Sequence, residues 1–263
     1  MVRIGAHVDL ADAIGAAKTL DADVVQVFLS DPQAWKVPDL PYEGGAEALR
    51  ADAEAADLDL YVHAPYVINV ASTNNRIRIP SRKLLQQHMD AAAEIGAKGL
   101  IVHGGHVNAK DDPEKGFDNW RKAVDATDLK IPLLIENTAG GGNAMARQAE
   151  RIGRVFEAIS SCEQADKVGF CLDTCHAHAG GIALDTAVER LLSLTGRIDL
   201  VHANDSRDAF DSGADRHTNF GDGHLDHEAF VEVVRQAGAP VIVETPGPAE
   251  RHKADFEWLR ERL

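Results

Sequence analysis

Gly99-Leu100-Ile101-Val102-His103 is an apolar run that stops on a histidine, and Pro132-Leu133-Leu134-Ile135-Glu136-Asn137 and Ala239-Pro240-Val241-Ile242-Val243-Glu244-Thr245 repeat the pattern with a glutamate. A strand with one wet face alternates polar and apolar residues. A strand that is apolar throughout is covered on both faces, as in a parallel sheet packed between helices. Working outward, similar runs span 2–8, 23–30, 58–65, 99–106, 132–138, 168–175, 197–205 and 239–247. Each is followed by an alanine- and charge-rich stretch of helical spacing, among them 81–97 behind Pro80, 113–127, and 248–262, which opens on a proline. Eight β/α repeats in 263 residues predict a (β/α)₈ TIM barrel, with one domain spanning 1–263. The segments 71–78, 139–143 and 206–223 are rich in Gly, Asn, Asp and Ser and read as βα loops, the loops that build the mouth of such a barrel.

Composition narrows the function. No apolar run approaches the length of a membrane span, and the N-terminal residues lack the basic-then-apolar layout of a signal peptide. Three cysteines, Cys162, Cys171 and Cys175, form an odd and sparse set, predicting free thiols in a reducing compartment and a cytoplasmic protein. A net charge of −15 argues against a surface that holds nucleic acid everywhere, so any such contact must be local.

The chemistry collects at the strand ends. His7, His63, His103 and Glu136 close the first, third, fourth and fifth runs; Asp173-Thr174-Cys175-His176 closes the sixth; His202-Ala203-Asn204-Asp205 closes the seventh, whose loop carries Asp215-Arg216-His217; and Glu244 closes the eighth. A single histidine of this kind reads most simply as a strand cap. Carboxylates gathered without cations would repel one another and destabilise the fold, whereas divalent metals remove the conflict, and imidazole with carboxylate suits zinc or manganese. Cys171 and Cys175 lack a second cysteine pair and read as buried thiols; His106 and His178 read as neighbours of the ligands; Gly140-Gly141-Gly142 reads as a turn because no Lys-Ser or Lys-Thr follows.

The stretches Val62-His63-Ala64-Pro65-Tyr66-Val67-Ile68-Asn69, Ile135-Glu136-Asn137-Thr138-Ala139-Gly140, Cys171-Leu172-Asp173-Thr174-Cys175-His176 and Asp215-Arg216-His217 resemble the signatures of the endonuclease IV family, and the likeness runs from Ile4-Gly5-Ala6-His7 to Val243-Glu244-Thr245. The resemblance implies a TIM barrel with three metals, zinc at each position or manganese at one. It implies hydrolysis of the phosphodiester 5′ to an abasic site, leaving a 3′-hydroxyl, by a monomer acting on double-stranded DNA with abasic or 3′-blocked lesions. Carried over residue by residue, His63 and His103 would hold one metal and Glu136 would bridge it to a second. Asp173, His202 and Glu244 would complete that second site, and His176, Asp215 and His217 would hold the third; Glu136 and Glu244 are the catalytic candidates. Tyr66 matches a residue that enters the DNA stack, while Gln33 stands where the family often carries an inserting arginine, a role that Trp35 or the arginines of Asn75-Arg76-Ile77-Arg78 could share. Arg76, Arg78, Arg82, Lys83 and Arg207 are candidate phosphate contacts, and three divalent cations would outweigh Glu136, Asp173, Asp215 and Glu244 and leave the mouth locally positive.

Related barrels place one or two metals at the same strand ends, so a metal-dependent sugar isomerase or epimerase is the alternative, and a non-catalytic metal or DNA scaffold is a third class. Fold alone does not separate them. The surplus ligands His176, Asp215 and His217 favour the nuclease.

Overall fold

The computed structural model describes residues 2–263, so residue 1 of the expected 1–263 span lies outside the described residues. The chain alternates β1 (Ile4–His7), α1 (Ala13–Leu20), β2 (Val24–Phe28), α2 (Gly45–Ala55), β3 (Asp59–His63), α3 (Asn75–Glu94), β4 (Gly99–His103), α4 (Glu114–Ala126), β5 (Leu133–Glu136) and α5 (Ala149–Ile159). It continues through β6 (Val168–Asp173), α6 (Thr174–Gly180), α7 (Leu184–Thr195), β7 (Leu200–His202), β8 (Asp205–Ser206), β9 (His217–Thr218), α8 (His227–Ala237), β10 (Val241–Val243) and α9 (Ala249–Arg260). Strands β1 to β7 and β10 close into a parallel barrel, β10 pairing with both β7 and β1. This is the expected TIM barrel.

The two-residue period of a strand sorts the core into two compartments. Val25 and Val27, Leu60 and Val62, Leu100 and Val102, Leu133 and Ile135, and Val241 and Val243 point outward and pack against the helices. Val24, Tyr61, Ile101, Leu134, Cys171, Leu200 and Ile242 point inward and form a separate buried cluster that plugs the barrel. On β1 the corresponding inward position is Gly5, where a Cβ would lie 1.5 Å from the Val24 carbonyl oxygen, so only glycine lets these strands approach.

Several expected boundaries are corrected. Helix α3 begins at Asn75, not after Pro80, because the Asn74 side chain accepts a hydrogen bond from Arg76 N (3.0 Å) and caps it one turn early. Pro80 therefore lies inside the helix, where the carbonyl it leaves without a backbone donor belongs to exposed Arg76. Arg76 and Arg78 thus ride on a helix rather than on the expected 71–78 loop. The sixth strand stops at Asp173 because that side chain accepts from His176 N and caps α6, so Thr174 and Cys175 are helical. The seventh ends at His202, and Asp205–Ser206 pairs antiparallel with His217–Thr218 instead, so the 206–223 loop holds part of a small hairpin.

Candidate metal centre

Two residues beyond the apolar plug, about 6.6 Å along each strand, every barrel strand presents a polar side chain to the lumen or its mouth. The set is His7, Gln26, His63, His103, Glu136, Asp173, His202 and, just past β10, Glu244. Because the strands are in parallel register, with His103 opposite Glu136 and Asp173 opposite His202, these side chains form one ring. The sequence periodicity that makes the plug therefore also makes the site.

Glu136 is the centre of the ring and fully buried. Its Oε2 lies 3.0 Å from His63 Nε2 and 3.4 Å from His103 Nε2, while Oε1 lies 3.2 Å from His202 Nδ1 and 3.2 Å from His176 Nδ1. The two oxygens of one carboxylate thus face different groups of imidazoles. His63 Nδ1–H donates to the Ala64 carbonyl at 2.7 Å, which leaves Nε2 as the atom turned to Glu136. His176 Nδ1–H likewise donates to the Asn137 carbonyl at 3.0 Å, leaving Nε2 free. Asp173 is held by Asn204 Nδ2 at 2.7 Å and by the amide of His176 at 2.6 Å.

Donor atoms gather in three main groups, each with its atoms within 4.8 Å of one another: His63, His103 and Glu136; Glu136, Asp173, His202 and Glu244; and His176, Asp215 and His217. All nine ligands expected from sequence are therefore brought together, in the groupings expected. Asp173, Cys175 and His217 form a further group, in which burial pushes the Cys175 thiol up to about 12. His106 and His178 stay outside these groups, hydrogen-bonding at Asn69 and at the Asp208 carbonyl.

The donor set suits divalent cations. Asp215 Oδ1 is 3.0 Å from His176 Nε2 and 3.2 Å from His217 Nε2, yet both ring nitrogens are buried without an aligned hydrogen bond. Donor atoms that are close but not bonded to one another fit a common cation better than a hydrogen-bond network. The electrostatics agree. Burial alone would raise the Glu136 pKa, but His202, His103 and His176 hold it well below the usual carboxylate range. Burial likewise opposes the ionisation of Glu244, and His202 nevertheless brings it down to about 2. Histidine charge favours the ionised form of these two carboxylates while burial raises the Asp173 pKa, and divalent cations would favour the ionised form of all three.

The loop-borne donors are fixed by groups that the motif pattern does not mark. Asp205 reads from sequence only as a strand end, yet its buried carboxylate accepts from the amides of Ser206 (2.7 Å), Gly221 (3.1 Å), Gly223 (3.1 Å) and Leu225 (3.0 Å). A Cβ at Gly223 would meet Asp205 Oδ1 at 2.2 Å. Buried Asp255 on α9 accepts from Asn219 Nδ2, Phe220 N and Thr245 Oγ1 at 2.6–3.0 Å. Two buried carboxylates thus fasten the segment just after His217. The signal in the sequence is the glycine spacing Gly221-x-Gly223 following an acidic strand end.

The proposed DNA contacts divide. Tyr66 and Trp35, 48% and 49% exposed, line a cavity of about 480 Å³ with Ile77, His103, His106 and Gly140. Tyr66 stacks on His103, centroids 5.4 Å apart, and its amide donates to the Pro32 carbonyl at 2.8 Å, joining the loops that carry Tyr66 and Gln33. Gln33, Arg76, Lys83 and Arg207 lie at the surface. Arg78 is committed to the Ser72 carbonyl (2.9 Å) and to Asn75, and Arg82 to the Asn119 carbonyl (3.0 Å), which leaves them less free for phosphate.

Comparison with known proteins agrees with the geometry. Residues 14–262 match the family model described as xylose isomerase-like TIM barrel. The chain is 52% identical over 259 residues to the probable endonuclease 4 of Mycobacterium tuberculosis (strain CDC 1551 / Oshkosh), covering 98% of each chain. It is 52% identical over 260 residues to that of Mycobacterium ulcerans (strain Agy99), covering 99% of this chain and 98% of the relative. Among solved structures, endonuclease IV from Thermus thermophilus superposes with a TM-score of 0.84 at 27% identity, over 99% of this chain and 98% of that one. A D-tagatose 3-epimerase-like protein superposes at 0.79 over 99% and 97% of the two chains, but at 20% identity, a likeness of fold alone.

Proposed function

From the premise that the chain belongs to the endonuclease IV family, we propose that it is a metal-dependent DNA-repair endonuclease that cuts the phosphodiester 5′ to an abasic site and leaves a 3′-hydroxyl. The observation that carries this reading beyond the fold is the third donor group: His176, Asp215 and His217 stand beside two groups already linked by Glu136. A sugar epimerase on the same barrel has use for one or two metals, and a further set of ligands has no part in it.

In this reading His63, His103 and Glu136 would hold one cation, Glu136, Asp173, His202 and Glu244 a second, and His176, Asp215 and His217 a third, zinc being the expected element. Bound there, divalent cations would supply Lewis-acid polarisation of the phosphate and acidification of water. The chain's own groups do the rest. Glu136, whose two oxygens face different imidazoles, would serve both of the first two positions, and the ring of strand ends holds the donors against their mutual repulsion. Tyr66 and Trp35 flank the cavity beside His103 and offer aromatic faces on which an exposed base or sugar can stack.

Covalent catalysis has no support in these residues. Burial pushes the thiols of Cys171 and Cys175 up to about 12, and no strand-end position carries a lysine that could form a Schiff base. DNA contact would be confined to the mouth, since the chain is acidic overall. A monomer acting on abasic or 3′-blocked duplex is the working form. Among the described residues no helix is long and apolar enough to cross a membrane.

The test is a duplex with one abasic analogue. Purified, metal-loaded protein should cut it once, on the 5′ side, giving an end that a polymerase extends, and borohydride should trap no adduct. Intact duplex together with interconversion of an aldose and a ketose would overturn the reading and leave the barrel standing.

A further inference from the structure

One member of the polar ring is neither acidic nor an imidazole. Gln26, fully buried on β2, sits between His7, Glu244 and His202. Its Nε2 lies 2.6 Å from Glu244 Oε1 and 3.1 Å from His7 Nδ1, and its Oε1 lies 2.8 Å from His202 Nε2. A carboxylate oxygen that is ionised only accepts, so the amide nitrogen must face Glu244. The amide oxygen then faces His202, and Nε2 of that ring must carry a proton. The remaining nitrogen, Nδ1, is the one turned to Glu136 Oε1 at 3.2 Å and Glu244 Oε2 at 3.4 Å.

We propose that Gln26 is the positioning residue of the second cation site: its amide fixes the Nε2–H form of His202, so that Nδ1 is the ligand atom, and ties back Oε1 of Glu244, so that Oε2 is presented. The inference rests on the metal reading of the ring and adds to it the group that orients two ligands at once. All hydrogen-bonding capacity of the amide used here is directed at site residues, with both N–H groups and the oxygen engaged. The packing explanation is that Gln26 merely fills the lumen. The inward neighbour one layer below it is Val24, and an apolar side chain at position 26 would fill the same space without turning one N–H to the Glu244 carboxylate and the other to His7.

The experiment uses the full-length protein. In the metal-loaded wild type, a long-range ¹H–¹⁵N spectrum should show His202 protonated at Nε2; a proton on Nδ1 with Nε2 bare overturns the proposal without any variant. Gln26→Met keeps length and volume and removes the donors and the strong acceptor. Zinc competition against a chromophoric chelator should then show one cation bound about 10–100-fold more weakly, the usual cost of losing a partner that orients a ligand. Gln26→Glu, which sets a second carboxylate against Glu244, should lose more. Unchanged zinc affinity in a folded Gln26→Met protein defeats this inference alone. A wild type that takes up no divalent cation defeats the metal reading and this inference with it.

Discussion

His63, His103, Glu136, Asp173, His202 and Glu244 stand at barrel strand ends, whereas Asp215 and His217 ride on the segment between β7 and α8, and the two sets reach the same mouth by different means. The strand-borne set inherits its geometry from parallel register: once the apolar plug is packed, the residues two positions on have no freedom to be elsewhere. The loop-borne set depends on side-chain carboxylates, Asp205 and Asp255, that gather backbone amides and hydroxyls. Asp215 is the most exposed member of either set, its side chain at 53%, while Glu136 and His202 are buried and His217 is as covered as Glu244. Positions defined by a barrel are coupled to global stability, while positions defined by a loop can open locally. The third cation should therefore be the first lost.

The largest effect that would break this comparison is expected at the residue shared by two donor groups. Glu136→Gln leaves a neutral amide between two cation positions, and incision should fall by more than about 100-fold, beyond the cost of losing a supporting partner. Elemental analysis of the variant should show depletion of both strand-borne cations. Retention of both, with activity intact, would mean that Glu136 does not bridge.

Asp205→Asn tests the loop side. It removes charge from a carboxylate that accepts four amides and turns N–H groups toward N–H groups, costing about 1–3 kcal/mol of stability by thermal denaturation. The third cation should bind about 10-fold more weakly with the first two unchanged. Equal weakening of all three would erase the distinction between strand and loop.

Much of the barrel and of the site is legible in the sequence because both follow from the same period. Apolar runs ending in His, Glu or Asp announce strand and candidate ligand together, as at Gly99 to His103 and Leu133 to Glu136. Side-chain caps are less legible: Asn74 starts α3 before Pro80 and Asp173 ends β6 early, because a single polar side chain can outweigh a run of local propensity. The anchoring by Asp205 and Asp255 joins segments far apart in sequence, and nothing near Asp255 marks it as a partner of Thr245 and Phe220. Gln26 is hidden in another way, as a lone polar residue in the otherwise apolar strand Val24-Val25-Gln26-Val27-Phe28.

Smaller effects belong to substrate contact, which should leave the cations alone. Tyr66→Ala removes an aromatic face worth about 1–3 kcal/mol, so abasic duplex should bind roughly 10-fold more weakly or worse with metal content unchanged, by fluorescence anisotropy and elemental analysis. Loss of metal along with affinity would instead make Tyr66, through its stacking on His103, part of the cation site. Gln33→Arg, at a surface turn tied to the Tyr66 loop, should tighten binding by about 3-fold, near one electrostatic contact's worth of roughly 0.2–1 kcal/mol. No change, or a loss, would locate the second contact at Trp35 or Arg76.

The most direct test of the account is native mass spectrometry of the wild type beside His176→Ala. His176 is the helix-borne member of the third donor group, its amide donating to the Asp173 cap, and Asp215 and His217 would not complete a site without it. The account predicts three divalent cations in the wild type and two in the variant, with the remaining two as resistant to chelator as before. A wild type holding one cation or none, or a variant that sheds all of them together, would contradict it.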